Sequence, residues 1–249
     1  RDAQESRGLG DVYKRQAYIP RENAKGTIIC MHGYHSTNDI EFVPEVRFLW
    51  NLGYSILLPW QRSHGKSEGR YITYGVKERH DLKRWILYTN RHLAAKNKDI
   101  FLCGISMGCA TTLMAADLDL PDNVKGIIAD CGFTSPWDII KHVAKERFHL
   151  PPFPLMYMVD LISEVVAGFG LKEVSIPEIM KRNKIPVLFI HGDADDYVPM
   201  WMTIKNYEAC AAKKELYIVS GAGHALAFSK DMEEGKRRIK NFINKYKTI

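Results

Sequence analysis

Six short apolar runs, separated by stretches of helical pattern, constrain this chain more than anything else in it. They are Thr27–His32, Tyr54–Trp60, Ile100–Ile105, Gly126–Cys131, Val187–His191 and Leu216–Ser220, rich in Ile, Val, Leu, Phe and Tyr. Apolarity on consecutive residues suits strands buried on both faces of a parallel sheet. Helical patterns cover Val76–Leu93, Met107–Asp117, Pro136–Arg147, Met200–Ala212 and Ala225–Tyr246. The last sets Met232, Ile239, Phe242 and Ile243 against a charged opposite side. Repeated βα alternation requires right-handed crossovers, so the expected fold is α/β: a doubly wound, mostly parallel sheet with helices on both faces. At 249 residues the chain fits one such domain.

Two segments break the rhythm. The stretch between Cys131 and Val187 is longer than one crossover helix needs and carries Pro151, Pro152 and Pro154 among many apolar residues. It reads either as a further crossover helix on the core or as a small helical cap, an insertion at about 134–184 over the carboxyl edge of the sheet. The opening residues 1–16 are polar, lack a usable period and look like translated adapter sequence, so they are set aside as non-native. The expected organisation is a single domain over 17–249, with its N-terminal strands truncated and the native start upstream.

Composition excludes several function classes. Lys and Arg total 35 against 29 acidic residues, a net charge of +6, but the two signs are interleaved and form no basic block for a phosphate backbone. Nucleic acid is therefore not an expected partner. The five cysteines, Cys30, Cys103, Cys109, Cys131 and Cys210, are odd in number and mostly lie in apolar runs, as free buried thiols do. This favours a cytoplasmic location, with a signal or anchor left open by the missing start. No run of 18 apolar residues occurs. Neither phosphate-binding nor dinucleotide-binding glycine motifs are present, and no cofactor is expected. His32, His35, His191, Asp193 and Asp195 could suggest a metal site, but they lack the helical spacing of a zinc protease motif, and no metal is expected.

The chemistry gathers at strand ends, where open α/β sheets place their sites. Gly104-Ile105-Ser106-Met107-Gly108 is a G-x-S-x-G that follows a strand and opens a helix. Such a turn projects a serine hydroxyl at a helix N-terminus, and its tightness calls for glycine two residues either side. A serine becomes a useful nucleophile only beside a base with an orienting partner. Both follow in the order Ser, Asp, His: a carboxylate-bearing loop after Val187–His191, and His224 in Ser220-Gly-Ala-Gly-His224 beyond the last strand. Two backbone donors complete an oxyanion hole: the Met107 N–H and, from the loop His32-Gly33-Tyr34-His35, the Tyr34 N–H.

These residues resemble the α/β-hydrolase superfamily from Lys25 onward. They are similar in particular to bacterial serine-aminopeptidase-like and monoacylglycerol-lipase-like hydrolases. The motifs that carry the likeness are His32-Gly33-Tyr34, Arg62-Ser63-His64-Gly65-Lys66-Ser67, Gly104–Gly108 and His191–Pro199. Trp60 and Ser63 depart from the pattern, which usually has Asp and Gly there. The resemblance implies Ser106, Asp195 and His224 as catalytic residues, with Asp195 preferred over Asp193 and Asp196. His35, Met156 and Phe153 are candidate substrate-binding residues. The expected activity is hydrolysis of small-molecule carboxylic esters with small to medium acyl groups. A peptidase, amidase or acyltransferase using the same residues is the alternative, and a non-catalytic ligand-binding protein a lesser one. A monomer is the favoured state.

Overall fold

The computed structural model describes residues 6–7, 13–93 and 98–248. Its centre is a sheet of seven strands: β1 (Gln16–Ile19), β2 (Gly26–Met31), β3 (Ser55–Pro59), β4 (Asp99–Ile105), β5 (Val124–Asp130), β6 (Val187–Gly192) and β7 (Lys214–Val219). They lie side by side in the order β1-β3-β2-β4-β5-β6-β7. Every pairing is parallel except that of β1 with β3, where Gln16 faces Pro59 and Ile19 faces Ile56. Ser6–Arg7 and Tyr13–Lys14 pair separately, outside this sheet.

Eight helices carry the packing: α1 (Val43–Asn51), α2 (Glu78–His92), α3 (Met107–Ala115), α4 (Pro136–Phe148), α5 (Pro152–Ile162), α6 (Ile176–Met180), α7 (Met200–Ala209) and α8 (Met232–Tyr246). Alternate residues of each strand feed opposite faces of the sheet. In β2, Ile29 and Met31 join the core built with Trp85 of α2, Leu113 of α3, Met180 of α6 and Met202 of α7. Ile28 and Cys30 join the core built with Leu49 of α1 and Ile239, Phe242 and Ile243 of α8. The sheet is thus doubly wound and covered on both faces, which is why its strands are apolar throughout rather than alternating.

Strand order reverses between β2 and β4. The chain runs from β2 outward to β3, then crosses back to β4 on the other side. Connections leave in opposite directions there and open a crevice at the carboxyl ends of the two strands.

Several elements differ from the sequence expectation. Gln16 belongs to β1 and is buried, and the Arg15 carbonyl accepts from Trp60 N–H at 2.9 Å, so the fold begins inside the segment that was set aside. Residues 1–5 and 8–12 of that segment lie outside the described residues. The final helical pattern is two helices, Ala227–Lys230 and α8, broken where Asp231 leaves helical geometry and accepts a hydrogen bond from Tyr217 Oη at 2.8 Å. The long insertion combines both readings offered for it. α6 packs Ile176, Ile179 and Met180 into the core as a crossover helix, whereas α4 and α5 supply only Ile139 and Met156 to its buried residues and a π-helical turn (Ser163–Ala167) contributes no buried residue. The Ser135 hydroxyl caps α4 by accepting from Asp138 N–H at 3.0 Å. All five cysteines are free and buried. Among the described residues, no helix is long and apolar enough to cross a membrane.

Candidate active site

The crevice at the strand reversal holds Ser106. Its backbone sits at φ 54°, ψ −117°, between the end of β4 and the start of α3. Such an angle is costly for a non-glycine residue and persists only where the surroundings impose it. Here they do: Ser106 N–H donates to the Asp130 carbonyl of β5 at 2.9 Å, and the Ser106 carbonyl accepts from Ala110 N–H at 3.0 Å. A Cβ on Gly104 would lie 2.4 Å from the Gly108 carbonyl oxygen, and one on Gly108 would lie 1.8 Å from that of Met31. The two glycines allow α3 to fold back against β4 and β2.

His224 and Asp195 complete a hydrogen-bonded chain. Ser106 Oγ lies 2.9 Å from His224 Nε2, and His224 Nδ1 lies 2.7 Å from Asp195 Oδ2. With Nδ1–H donating to the carboxylate, Nε2 is left as the acceptor that faces the serine hydroxyl. Asp195 is buried, and its Oδ1 accepts from Tyr197 and Val198 N–H, each at 2.9 Å. Burial alone would raise this carboxyl. Hydrogen bonds from His191 and His224, with that from Val198 N–H, instead hold it well below the usual carboxylate range. The other two acids of the loop point elsewhere: Asp193 accepts from Gly221 N–H at 2.6 Å, and Asp196 is exposed, 3.7 Å from Arg147.

His191, weighed in the sequence only as a metal ligand, is a buried strut for this loop. Its Nε2 lies 2.8 Å from the Val198 carbonyl and 3.3 Å from Asp195 Oδ2, and its Nδ1 lies 2.7 Å from Thr203 Oγ1 on α7. Cys131, Asp195 and His224 place one ligand atom each within 4.8 Å of one another. Burial, then the Asp130 charge, pushes the Cys131 thiol up, so it stays protonated beside the acid.

The loop after β2 is strapped to the loop after β3. Gln61 N–H donates to His32 Nε2 at 2.9 Å, the Gln61 amide also reaches the His32 carbonyl, and His35 N–H donates to His64 Nε2 at 3.1 Å. Burial lowers the His64 pKa, which keeps that nitrogen available as an acceptor. Arg62 anchors the second loop through two 2.8 Å bonds to Asp81 on α2. A Cβ on Gly33 would lie 3.3 Å from Ser106 Cβ, so the strapped loop runs close beside the serine. Among the described residues, neither Tyr34 N–H nor Met107 N–H donates a backbone hydrogen bond.

Three carboxyls lie under the site, Glu45 and Asp130 buried and Glu41 half-buried. Burial foremost raises Glu41 to about 7, Glu45 to about 8 and Asp130 to about 6. Glu41 accepts from Gly33 N–H, while Glu45 Oε2 and Asp130 Oδ1 have no hydrogen-bond partner. An ordinary glutamate ionises near 4.5, so between that value and about 8 the folded chain holds more protons than the unfolded chain. This term makes stability fall as pH rises through that window. Glu45→Gln removes its share and is expected to stabilise the protein at pH 8 by roughly 2 kcal/mol, or roughly 4–8 °C in Tm, with a smaller gain at pH 5. Calorimetry at the two pH values checks this, and an equal gain at both would contradict it.

A hollow of about 460 Å³ lies on the Tyr197 side of His224, lined by Tyr34, Tyr74 and Tyr197 and by Ile139, Ile140, Val143, Ala144, Arg147 and Phe148 of α4. The Tyr197 ring lies 5.1 Å from that of His224. The expected substrate-binding residues are not gathered here. Met156 is fully buried in the core, Phe153 is 75% exposed, and His35 is exposed with its ring against Tyr34. The cap lines the hollow with α4, while Phe153, Tyr157, Met158 and Leu161 of α5 face solvent. Composition marked the insertion as apolar but could not say which helix turns inward.

Comparison with known proteins agrees with this fold. The family model of the prolyl oligopeptidase family matches residues 67–248. The uncharacterized protein YqkD of Bacillus subtilis is 28% identical over 227 residues, covering 91% of this chain and 74% of its own length. The esterase Pf2001 of Pyrococcus furiosus superposes with a TM-score of 0.79 at 25% identity, covering 98% of this chain and 91% of that one. Est1E of Butyrivibrio proteoclasticus, solved with ferulic acid, shares the fold at a TM-score of 0.76 and 19% identity, covering 98% of this chain and 99% of that one. The chain is a hydrolase of α/β-hydrolase fold and belongs to the prolyl oligopeptidase family.

Proposed function

We propose that this hydrolase cleaves small-molecule carboxylic esters through Ser106, His224 and Asp195 by way of an acyl-enzyme. The unbroken chain from Ser106 Oγ through both His224 nitrogens to the buried Asp195 carboxylate carries the reading. Ser106 Oγ attacks the ester carbonyl while His224 Nε2 takes its proton. Asp195 holds the imidazole in the required tautomer and balances the positive charge it gains. Tyr34 and Met107 N–H hold the carbonyl oxygen as it becomes negative. His224 then gives its proton to the departing alcohol. Water, deprotonated by the same nitrogen, releases the acid in the second half of the cycle. An amide would follow the same path, but esters have the better leaving group and ask least of the site.

In this reading the α4 side of the hollow accommodates the acyl chain. Each methylene buried there is worth about 0.8 kcal/mol, roughly a fourfold gain in kcat/KM, until the space is filled. Along 4-nitrophenyl esters from acetate to palmitate, kcat/KM is expected to rise, peak at a short to medium chain and then fall. A monotonic rise to palmitate, or activation at an oil–water interface, contradicts the assignment. Labelling by a fluorophosphonate tests the activated serine itself.

A further inference from the structure

The hollow lined by Tyr34, Tyr197 and α4 does not end there. Tyr34, Tyr74 and Ile140 also line a second hollow of about 610 Å³, which runs between the core and the cap against Ile72, Val159, Phe169 and Leu171. Arg70, Tyr71 and Ala167 are in turn shared with a third hollow of about 500 Å³. The seam is aromatic at its end nearest His224, where Tyr34, Tyr74 and Tyr197 line it, and largely aliphatic along its middle. At its far end the lining changes to Arg62, Arg70, Lys77, His80 and Glu173.

That far end is built rather than incidental surface. Arg62 is only 8% exposed; Asp81 holds Nε and Nη2, Nη2 also reaches the Lys77 carbonyl at 3.5 Å, and among the described residues Nη1 has no hydrogen-bond partner. Lys77 reaches across to the cap and donates to the Ala167 carbonyl at 2.6 Å, keeping two further protons on its ammonium. Arg70 is exposed at the rim with its guanidinium 5.7 Å from the Tyr71 ring centre. The lining carries the cations Arg62, Arg70 and Lys77 against the carboxylate of Glu173, with Arg62 already paired to Asp81. Burial disfavours protonation of His80, so it offers a neutral imidazole.

We propose that the seam binds an ester whose apolar acyl chain, of medium length, ends in an anionic head group that seats among Arg62, Arg70 and Lys77. The inference rests on the ester-hydrolase reading and deepens it from ester to anion-tipped ester. An aliphatic middle rewards methylenes, and a low-exposure arginine with a free N–H rewards a charge at one distance from the carbonyl only. The chain length that spans the seam therefore gives the anion-tipped series an optimum at which it exceeds the methyl-tipped series of equal length.

The test compares monomethyl esters of straight-chain dicarboxylic acids with methyl esters of monocarboxylic acids of equal length. A third arm carries a phosphate at the chain end. At the optimum length, an anionic series is expected to exceed the neutral one in kcat/KM by about tenfold, the value of one charge-assisted hydrogen bond. The larger of the two anionic ratios identifies the head group. In Arg70→Gln/Lys77→Gln that ratio is expected to collapse towards one. Neutral esters cleaved as well as or better than both anionic series overturn the inference and leave the ester reading standing. Absence of turnover in every series overturns the ester reading. Calorimetry of the free dicarboxylate with the Ser106→Ala chain then reads the seam without catalysis: binding no tighter than that of the matched monocarboxylate overturns the inference.

Discussion

Ser106→Ala is expected to lower kcat/KM for ester hydrolysis by at least about a thousandfold while leaving the fold intact. The substitution removes one oxygen from a buried position and with it the atom proposed to attack the carbonyl. Tyr34 and Met107 N–H, and the hollow along α4, stay in place, so substrate still binds and some stabilisation of the oxyanion survives. The fold has no reason to suffer. Ser106 Oγ bonds only to His224 Nε2, and the backbone bonds to Asp130 and from Ala110 do not involve the side chain. Alanine does inherit the positive φ of Ser106, but that angle is enforced by the β4–α3 packing and is equally unfavourable for either residue. The expected result is an unchanged melting temperature, a lost fluorophosphonate label and activity near background. Activity close to that of the parent enzyme would refute the nucleophile assignment and every step built on it.

Much of this arrangement was legible because it depends on local sequence. Each of the six apolar runs lies in a strand of the sheet, with ends moved by a residue or two. A strand buried on both faces must be apolar at every position, whatever its neighbours are. The turn at Gly104–Gly108 was equally legible, because only residues without a Cβ fit where β4, α3 and β2 touch.

What the sequence concealed is tertiary. β1 is a short edge strand with a polar first residue, and it exists because β3 offers an open antiparallel edge. α1 and α5 begin with no side-chain cap, so each carried little beyond proline in its first turn as a local sign of a helix start. Phe153 and Met156 are three residues apart in an apolar run, yet one meets solvent and the other the core. Their composition was visible and their direction was not. Glu41, Glu45 and Asp130 read as ordinary charged positions, because nothing local announces that a carboxyl is buried. Arg62 and Lys77 likewise gained meaning only when the cap closed over them, with Lys77 reaching Ala167 far along the chain.

Among the three acids of the loop after β6, Asp195→Asn is expected to cost about 10⁴-fold in kcat, against less than about tenfold for Asp193→Asn or Asp196→Asn. Sequence spacing alone could not separate them, since all three lie within four residues. Their surroundings do. Asp195 alone reaches His224, and an asparagine there retains the Oδ1 acceptor for Tyr197 and Val198 N–H, so the loop keeps its shape. What changes is the proton on the imidazole. A carboxylate accepts from Nδ1–H and leaves Nε2 bare towards Ser106, whereas an amide can donate to Nδ1 and so place the proton on Nε2. The nitrogen facing the hydroxyl then has no lone pair with which to take a proton. Asp193 contributes a hydrogen bond to Gly221 N–H, which an asparagine carbonyl still accepts, and Asp196 offers only an exposed, 3.7 Å partner to Arg147. Ionisation gives a second readout. Because Asp195 is held far below the usual carboxylate range, its charge persists when the solution is acidified and contributes stability above pH 3.8, the ordinary value for aspartate. That contribution is lost only at lower pH, so mild acidification leaves the Asp195 charge and its hold on the imidazole in place. Steady-state kinetics of the three variants decide the matter: a larger loss at Asp193 or Asp196 would mean that the imidazole takes its orientation from a different carboxylate.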